Sequence, residues 1–189
     1  MIRIGILGNI GSGKSYVAKN FGYPVFNADS EVMELYKKDK RIFKKLRKVL
    51  PKYIYTFPIN KNEIIKAILA KELNLKKIVK IVHFEIRKKM NIFLKKNKKK
   101  KIIILDIPLL LENKLNKKND VLIFVHAQKS EIIKRLRKRK NYDLRLINKF
   151  KKIQLPLKYK KNKSDFIIKN FFNKKSIKEY KKKILKEIL

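Results

Sequence analysis

Gly8-Asn9-Ile10-Gly11-Ser12-Gly13-Lys14-Ser15 satisfies the pattern G-x-x-x-x-G-K-[ST] in full, and its surroundings decide how it reads. Ahead of it runs Ile2-Arg3-Ile4-Gly5-Ile6-Leu7, a short apolar stretch of strand length. Behind it, Tyr16-Val17-Ala18-Lys19-Asn20-Phe21 continues as a helix. Strand, glycine turn and helix form the setting in which this pattern cradles phosphate. Glycines at 8, 11 and 13 let the backbone curl so that successive N–H groups face phosphate oxygens. The helix adds the positive end of its dipole at the same point. Lys14 is expected to reach the β- and γ-phosphates, and Ser15 to offer its hydroxyl to Mg²⁺. The competing reading, a tight strand–helix turn matching by chance, is set aside because the full pattern and its preceding strand agree. The expectation is therefore a nucleoside triphosphate site formed by Gly8, Asn9, Ile10, Gly11, Ser12, Gly13, Lys14 and Ser15, with Tyr16 beside them.

Composition narrows the remaining classes. A chain of 189 residues fits one domain, with room for an inserted subdomain. Aliphatic residues are plentiful enough for a core, so the chain is not a disordered basic tail. The absence of cysteine excludes a disulfide framework, a thiolate zinc site and a cysteine nucleophile. The first apolar run leads directly into the loop, so no signal peptide is expected. The longest apolar stretches, near 102–111 and 121–127, fall short of the ~20 residues that span a bilayer. A soluble cytoplasmic protein, with a monomer favoured, is the expectation.

Lys and Arg number 53 against 15 Asp and Glu, a net charge of +38, which taken alone points to nucleic acid. The lysines, however, are spread along the chain among abundant Ile and Asn, three residue types that share A/T-rich codons. Aromatics do not interleave with the basic runs as a stacking array, and no RNA- or DNA-binding motif is present. Biased composition is enough to generate such a charge without selection for a partner, and no specific nucleic-acid partner is expected.

Five apolar runs read as strands: Ile2 to Leu7, Pro24 to Asn27, Ile102 to Asp106, Val121 to Val125 and Phe166 to Ile168. They are uninterrupted rather than alternating, the pattern of strands covered on both faces of a parallel sheet. Lysine-rich stretches of helical period separate them, which predicts a doubly wound α/β fold with ligands at the C-terminal strand ends. Between Ser30 and Lys101 only helical patterns occur. Ile42, Leu46, Val49 and Leu50 suit one helix, and Ile64, Ile65, Ile68 and Leu69 a second. Leu75, Ile78, Val79, Val82, Ile86, Met90 and Phe93 mark a third. This is a helical insertion, a natural place for an acceptor site. The third strand ends on Asp106, where an acidic residue beside a phosphate loop orients Mg²⁺ or its water shell; capping the following turn is the other reading.

At this point the chain resembles the dephospho-CoA kinases. Its loop is similar to that family's G-G-I-G-S-G-K-S, and Asn27-Ala28-Asp29 stands where the family has Asp-Ala-Asp. His83-Phe84-Glu85-Ile86-Arg87 resembles His-Pro-x-[IV]-Arg, and Asp106-Ile107-Pro108-Leu109-Leu110-Leu111-Glu112 contains a close copy of P-L-L-F-E. Arg135-Leu136-x-x-Arg139, Gln154-Leu155-Pro156-Leu157-x-x-Lys160 and Ser164-Asp165-Phe166-Ile167-Ile168-x-Asn170 complete an ordered set of seven.

The resemblance implies a P-loop kinase fold: a five-stranded parallel sheet flanked by helices, a helical substrate-binding insertion and a lid. Laid on this chain it gives a single kinase domain over 1–189. Its core is 1–29, 101–130 and 164–189, its insertion about 30–100 and its lid about 131–160. The implied reaction moves the γ-phosphate of ATP to the ribose 3′-hydroxyl of dephospho-CoA, the last step of CoA synthesis, with Mg²⁺ as cofactor. ATP and dephospho-CoA are then the partners, without a membrane. Lys14, Asp29 and Arg139 are the catalytic candidates, and Arg135 and Arg139 join the loop in binding ATP. Asp29, His83 and Arg87 are the acceptor-side candidates, and Ser15 and Asp106 the metal ligands. Asp29 also reads as an N-cap for the helix starting near Ser30, and His83 as an ordinary residue packed at the edge of an apolar stripe. The chain also departs from the family pattern. Asn27 replaces the first Asp, Met33 a basic residue, Phe84 a proline and Phe150 a lid arginine. The segment between Phe21 and Pro24 is shortened, and Ile59-Asn60-Lys61 is the nearest remnant of D-G-x-L-D-R. The alternatives are another P-loop nucleoside or nucleotide kinase, or a basic nucleic-acid-binding protein that holds ATP.

Overall fold

The apolar runs become strands because their β-branched side chains suit a pleated surface buried on both faces. A computed structural model describes residues 1–139 and 142–189. Its strands are β1 Ile2–Gly8, β2 Val25–Asn27, β3 Ile102–Asp106, β4 Val121–His126 and β5 Phe166–Lys169. They form one sheet in the order β2-β3-β1-β4-β5, every pair parallel. Ile4 of β1 lies between Ile104 of β3 and Val121 of β4. Each expected strand is present, its ends shifted by no more than one residue.

The described helices are α1 Lys14–Asn20, α2 Ala28–Lys38, α3 Lys40–Val49, α4 Lys61–Ala70, α5 Glu72–Lys96, α6 Lys129–Arg137, α7 Leu144–Lys152, α8 Leu157–Asn162 and α9 Lys174–Ile188. No described helix is long and apolar enough to cross a membrane. The chain divides into two compact units. One, the sheet unit, comprises Met1–Asn27, Asn97–Tyr142 and Ile153–Leu189; the other, the helical unit, comprises Ala28–Lys96 and Asp143–Lys152.

In the sheet unit, Ile4, Ile6, Ile102, Ile104, Ile123, Val125 and Ile168 pack with Val17, Ala18 and Phe21 of α1 and with Ile177 and Ile184 of α9. All five residues of β3 are buried, so both sheet faces are covered. At the end of the sheet opposite the phosphate loop, Arg3 donates through Nη2 to Asp120 Oδ2 at 2.9 Å and to the Leu115 carbonyl at 3.0 Å. Burial pushes the Asp120 carboxyl up, against the opposing pull of the Lys117 amide and the Arg3 guanidinium.

The apolar stripes read from the insertion form the inner faces of the helical unit. Ile42 and Leu46 of α3, Ile64 and Ile68 of α4, and Leu75, Ile78, Val82, Ile86 and Met90 of α5 are buried. Turn chemistry separates the helices. Asp39 caps α3 by accepting from Arg41 N and Ile42 N, and Asn60 caps α4 by accepting from Asn62 N. Glu63, buried, accepts from Tyr55 N at 3.1 Å, Thr56 N at 3.4 Å and the Thr56 hydroxyl, which pins the loop before α4. The segment expected as a lid is shared out. Asp143–Lys152 clusters with the helical unit, while α6 and the chain from Ile153 belong to the sheet unit.

Candidate active site

The phosphate loop joins β1 to α1, and its backbone is set by positive φ angles. Gly11 has φ 84° and Gly13, the N-cap of α1, has φ 88°. An L side chain is strained in that region. At Gly13 a Cβ would also stand 2.3 Å from Asn170 Nδ2, so bulk there is excluded twice. Asn9 closes the curl: its Oδ1 accepts from Ile10 N at 2.8 Å and its carbonyl from Ser12 N at 3.2 Å. Val17 N reaches the Gly13 carbonyl at 3.0 Å and starts the helix. Lys14 Nζ donates to the Asn9 carbonyl at 2.8 Å and the Gly8 carbonyl at 3.2 Å, so the ammonium is folded across the mouth of its own loop. The Ser12 hydroxyl is buried and has no hydrogen-bond partner among the described residues.

Beside the loop, the ends of β2 and β3 bring three polar side chains together. Asn27 Nδ2 donates to Asp106 Oδ2 and, at 3.5 Å, to Ser15 Oγ. Asp106 is only 2% exposed. The register that pairs Asn27 with Asp106 puts this amide and carboxylate side by side. A carboxylate and a hydroxyl sharing one amide donor are hard oxygen ligands of the kind Mg²⁺ takes together with substrate phosphates, and the residues fit that ion. Asn27, a departure from the family pattern in the sequence, has a bridging role that only the strand register reveals.

The far wall of the loop comes from β5. Asn170, at the end of that strand, donates from Nδ2 to the Ser12 carbonyl at 2.8 Å and accepts on Oδ1 from Phe172 N at 2.9 Å. Arg135, exposed on α6, lies with its guanidinium carbon 4.1 Å from the Phe172 ring centroid. Arg139 follows α6 by two residues, exposed, with its N–H donated to the Leu136 carbonyl at 3.0 Å. Buried Lys160 on α8 pairs with Glu112 at 2.6 Å, and Glu112 Oε1 also accepts from Leu155 N at 2.9 Å. Asn170, Lys160 and Glu112 lie within family-like segments that assign them no role, and Phe172 lies outside any such segment.

Within the helical unit, Asp29 is exposed in the first turn of α2, where its charge complements the helix dipole. His83 and Arg87 stand one turn apart on α5, the histidine half-buried and the arginine exposed. Burial, and then the Arg87 charge, lower the His83 imidazolium pKa below its usual value, so the ring is neutral near pH 7. α2 packs against α5, and Lys89 fastens them through Glu31 at 2.7 Å. The loop residues, Asp106, Arg135 and Arg139 thus belong to the sheet unit, and Asp29, His83 and Arg87 to the helical one.

The dephospho-CoA kinase family profile matches residues 2–176 of this sequence. The chain belongs to the dephospho-CoA kinase family. A dephospho-CoA kinase of Wolbachia pipientis wMel is 38% identical over 170 residues, covering 87% of each chain. One from Rickettsia bellii is 33% identical over 171 residues, covering 89% of this chain and 87% of its own. In three dimensions, a Thermus thermophilus crystal structure superposes with a TM-score of 0.75 at 24% identity, covering all of this chain and 98% of its own. The dephospho-CoA kinase from Campylobacter jejuni superposes with a TM-score of 0.62 at 20% identity, covering 98% and 96%. These two likenesses establish the fold, a five-stranded parallel sheet with flanking helices.

Proposed function

We propose that this ATP-dependent kinase phosphorylates the ribose 3′-hydroxyl of dephospho-CoA, giving CoA and ADP. The observation that carries the reading is a family match from residue 2 to 176 laid over an intact phosphate loop. In the reaction a bond forms between the acceptor oxygen and the γ-phosphorus while the β–γ bridging bond breaks. ADP leaves, and the hydroxyl proton passes to a base.

Loop amides and Lys14 neutralise the β- and γ-phosphates; the ammonium exchanges its Gly8 and Asn9 carbonyl partners for phosphate oxygens. Ser15 and Asp106 would hold Mg²⁺, which when bound neutralises charge on the transferring group. Asn27 keeps both of those oxygens oriented. Asp29, two residues beyond β2, is the proposed base or aligner of the acceptor hydroxyl. Arg135 and Arg139 supply guanidinium charge from the segment at the end of α6. His83 and Arg87 are the proposed acceptor contacts, Arg87 pairing with a substrate phosphate.

Incubating the purified protein with ATP and Mg²⁺, and with dephospho-CoA or a panel of nucleosides and nucleotides, tests the reading through ADP release and product mass. CoA formation with dephospho-CoA as the preferred acceptor is expected. Efficient phosphorylation of a nucleoside or nucleotide with dephospho-CoA untouched overturns it.

A further inference from the structure

The outer face of α3 concentrates positive charge as no other described helix does. Six of its ten residues, Lys40, Arg41, Lys44, Lys45, Arg47 and Lys48, are basic and exposed, and none is acidic. At about 100° per residue they fill one arc of the helix, opposite the buried Ile42 and Leu46. Asp39 holds Arg41, and Glu85 lies 3.6 Å from Lys45. The other four cations have no acidic partner among the described residues.

Aromatic rings stand at both edges of this arc. On one edge Phe43 meets Phe57 at a centroid separation of 5.6 Å. The Arg47 guanidinium is 5.8 Å from the Phe43 ring centre and the Lys40 ammonium 6.0 Å from that of Phe57. On the other edge Phe84 of α5 is 57% exposed, with the Lys88 and Lys45 ammoniums 4.3 and 5.9 Å from its centroid. The three rings are scattered in the sequence; the packing of α3 on α5 and the loop before α4 gathers them. Biased composition multiplies lysine, but it does not set aromatic rings on either side of a cationic stripe. Phe84, moreover, stands where the family pattern has proline, an exchange that gives this surface a π face.

We propose that the cationic arc of α3, rimmed by Phe84 and the Phe43–Phe57 pair, binds single-stranded nucleic acid without sequence preference. Cations along the arc neutralise backbone phosphates, and the rings at its edges receive unpaired bases. A duplex keeps its bases stacked on one another and offers only phosphates, so the rings favour the single strand. An acidic protein or a lipid headgroup would satisfy the cations and leave the rings without a planar partner. The inference goes beyond the kinase reaction and uses none of the residues proposed for it, so either can fail alone.

Fluorescence anisotropy of a labelled oligouridylate of about 12 nucleotides, followed across a salt series, tests the face. A duplex of equal length, inorganic polyphosphate and anionic phospholipid vesicles are the comparison probes. Wild type should bind the single strand more tightly than the duplex. Phe84→Ala is expected to weaken oligouridylate binding by about 5-fold or more, with polyphosphate affinity and the salt slope unchanged. Lys44→Gln, Lys45→Gln and Lys48→Gln together keep helix propensity and should lower the slope of log affinity against log salt by about 2. The same exchange at the exposed Lys98, Lys99 and Lys100 removes equal charge elsewhere and should change the slope far less. Circular dichroism and CoA formation should match wild type in every variant. Equal losses from the two lysine triples would spread the contact over the whole basic surface and overturn the proposal. Undiminished oligouridylate binding in Phe84→Ala, a duplex bound as tightly as the single strand, or a preference for vesicles overturns it as well. A raised KM for dephospho-CoA in the α3 or Phe84 variants would assign the face to the acceptor and overturn it too.

Discussion

Asn170 Nδ2 donates to the Ser12 carbonyl at 2.8 Å, joining residues 158 positions apart. The bond ties the phosphate loop to β5, a strand that does not pair with β1. Asn170→Ala leaves the Ser12 carbonyl and the Phe172 N–H without their partners, at a cost of about 1–3 kcal/mol for each group that stays buried. A lower urea midpoint and weaker ATP binding are expected together. Unchanged ATP affinity in the variant would mean that the loop holds its shape without the tether.

Lys14→Ala is expected to abolish ATP turnover and leave the fold intact. On the proposed function the ammonium acts on phosphates, whereas glycine dihedrals and Asn9 shape the turn. Circular dichroism and ADP release on the same preparation check both halves; near-normal turnover would remove the loop from the chemistry.

Asp29→Asn separates two roles for one carboxylate. A positioned base contributes roughly 10²–10⁴-fold to the chemical step. A charge in the first turn of α2 contributes about 0.3–1 kcal/mol to stability. A large fall in single-turnover rate with a nearly unchanged melting temperature is expected; the reverse pattern would leave Asp29 a helix residue only.

Glu112 and Lys160 form a buried pair, the lysine 1% exposed and Glu112 Oε2 without a hydrogen-bond partner among the described residues. Removing one member strands a buried charge. Glu112→Gln is therefore expected to cost about 3–5 kcal/mol, and the double change Glu112→Leu with Lys160→Met much less. Urea denaturation of both variants measures the difference. Equal destabilisation would show that packing, not charge pairing, sets the effect.

His83 provides a pH signature. Its folded pKa lies below its ordinary value of 6.5, because burial and the Arg87 charge disfavour the imidazolium. Below about pH 6.5 the unfolded chain therefore binds the extra proton more readily, and stability falls with it. The contribution is complete above that pH and is lost on acidification through the folded value. Melting temperatures between pH 5 and 8 should fall less steeply on acidification in His83→Gln than in the wild type. Parallel profiles would remove His83 as the source.

The strands were legible because each is a continuous aliphatic run bounded by polar residues, and Ile102 to Asp106 is buried along its whole length, as such a run implies. The loop was legible because spacing and flanking elements agreed. Pairings that depend on three-dimensional return were not. In a chain with 53 basic residues, nothing local distinguishes Lys160, which is buried, from its exposed neighbours. Asn27 looked like a lost carboxylate until the register set it beside Asp106. Phe172 carries no sequence signal, since only the hydrogen bond from its N–H to Asn170 and the guanidinium above its ring set it at the loop wall.

β1, the strand from which the phosphate loop hangs, is bonded on both sides, to β3 and β4, whereas β5 is an edge. Edges open first and the sheet's centre opens last. The loop thus has a stem that survives until global unfolding and a side tether, from Asn170, that is released when the edge frays. Warming is therefore expected to slacken the loop while β1 stays paired with β3 and β4, so nucleotide capture should weaken before global unfolding.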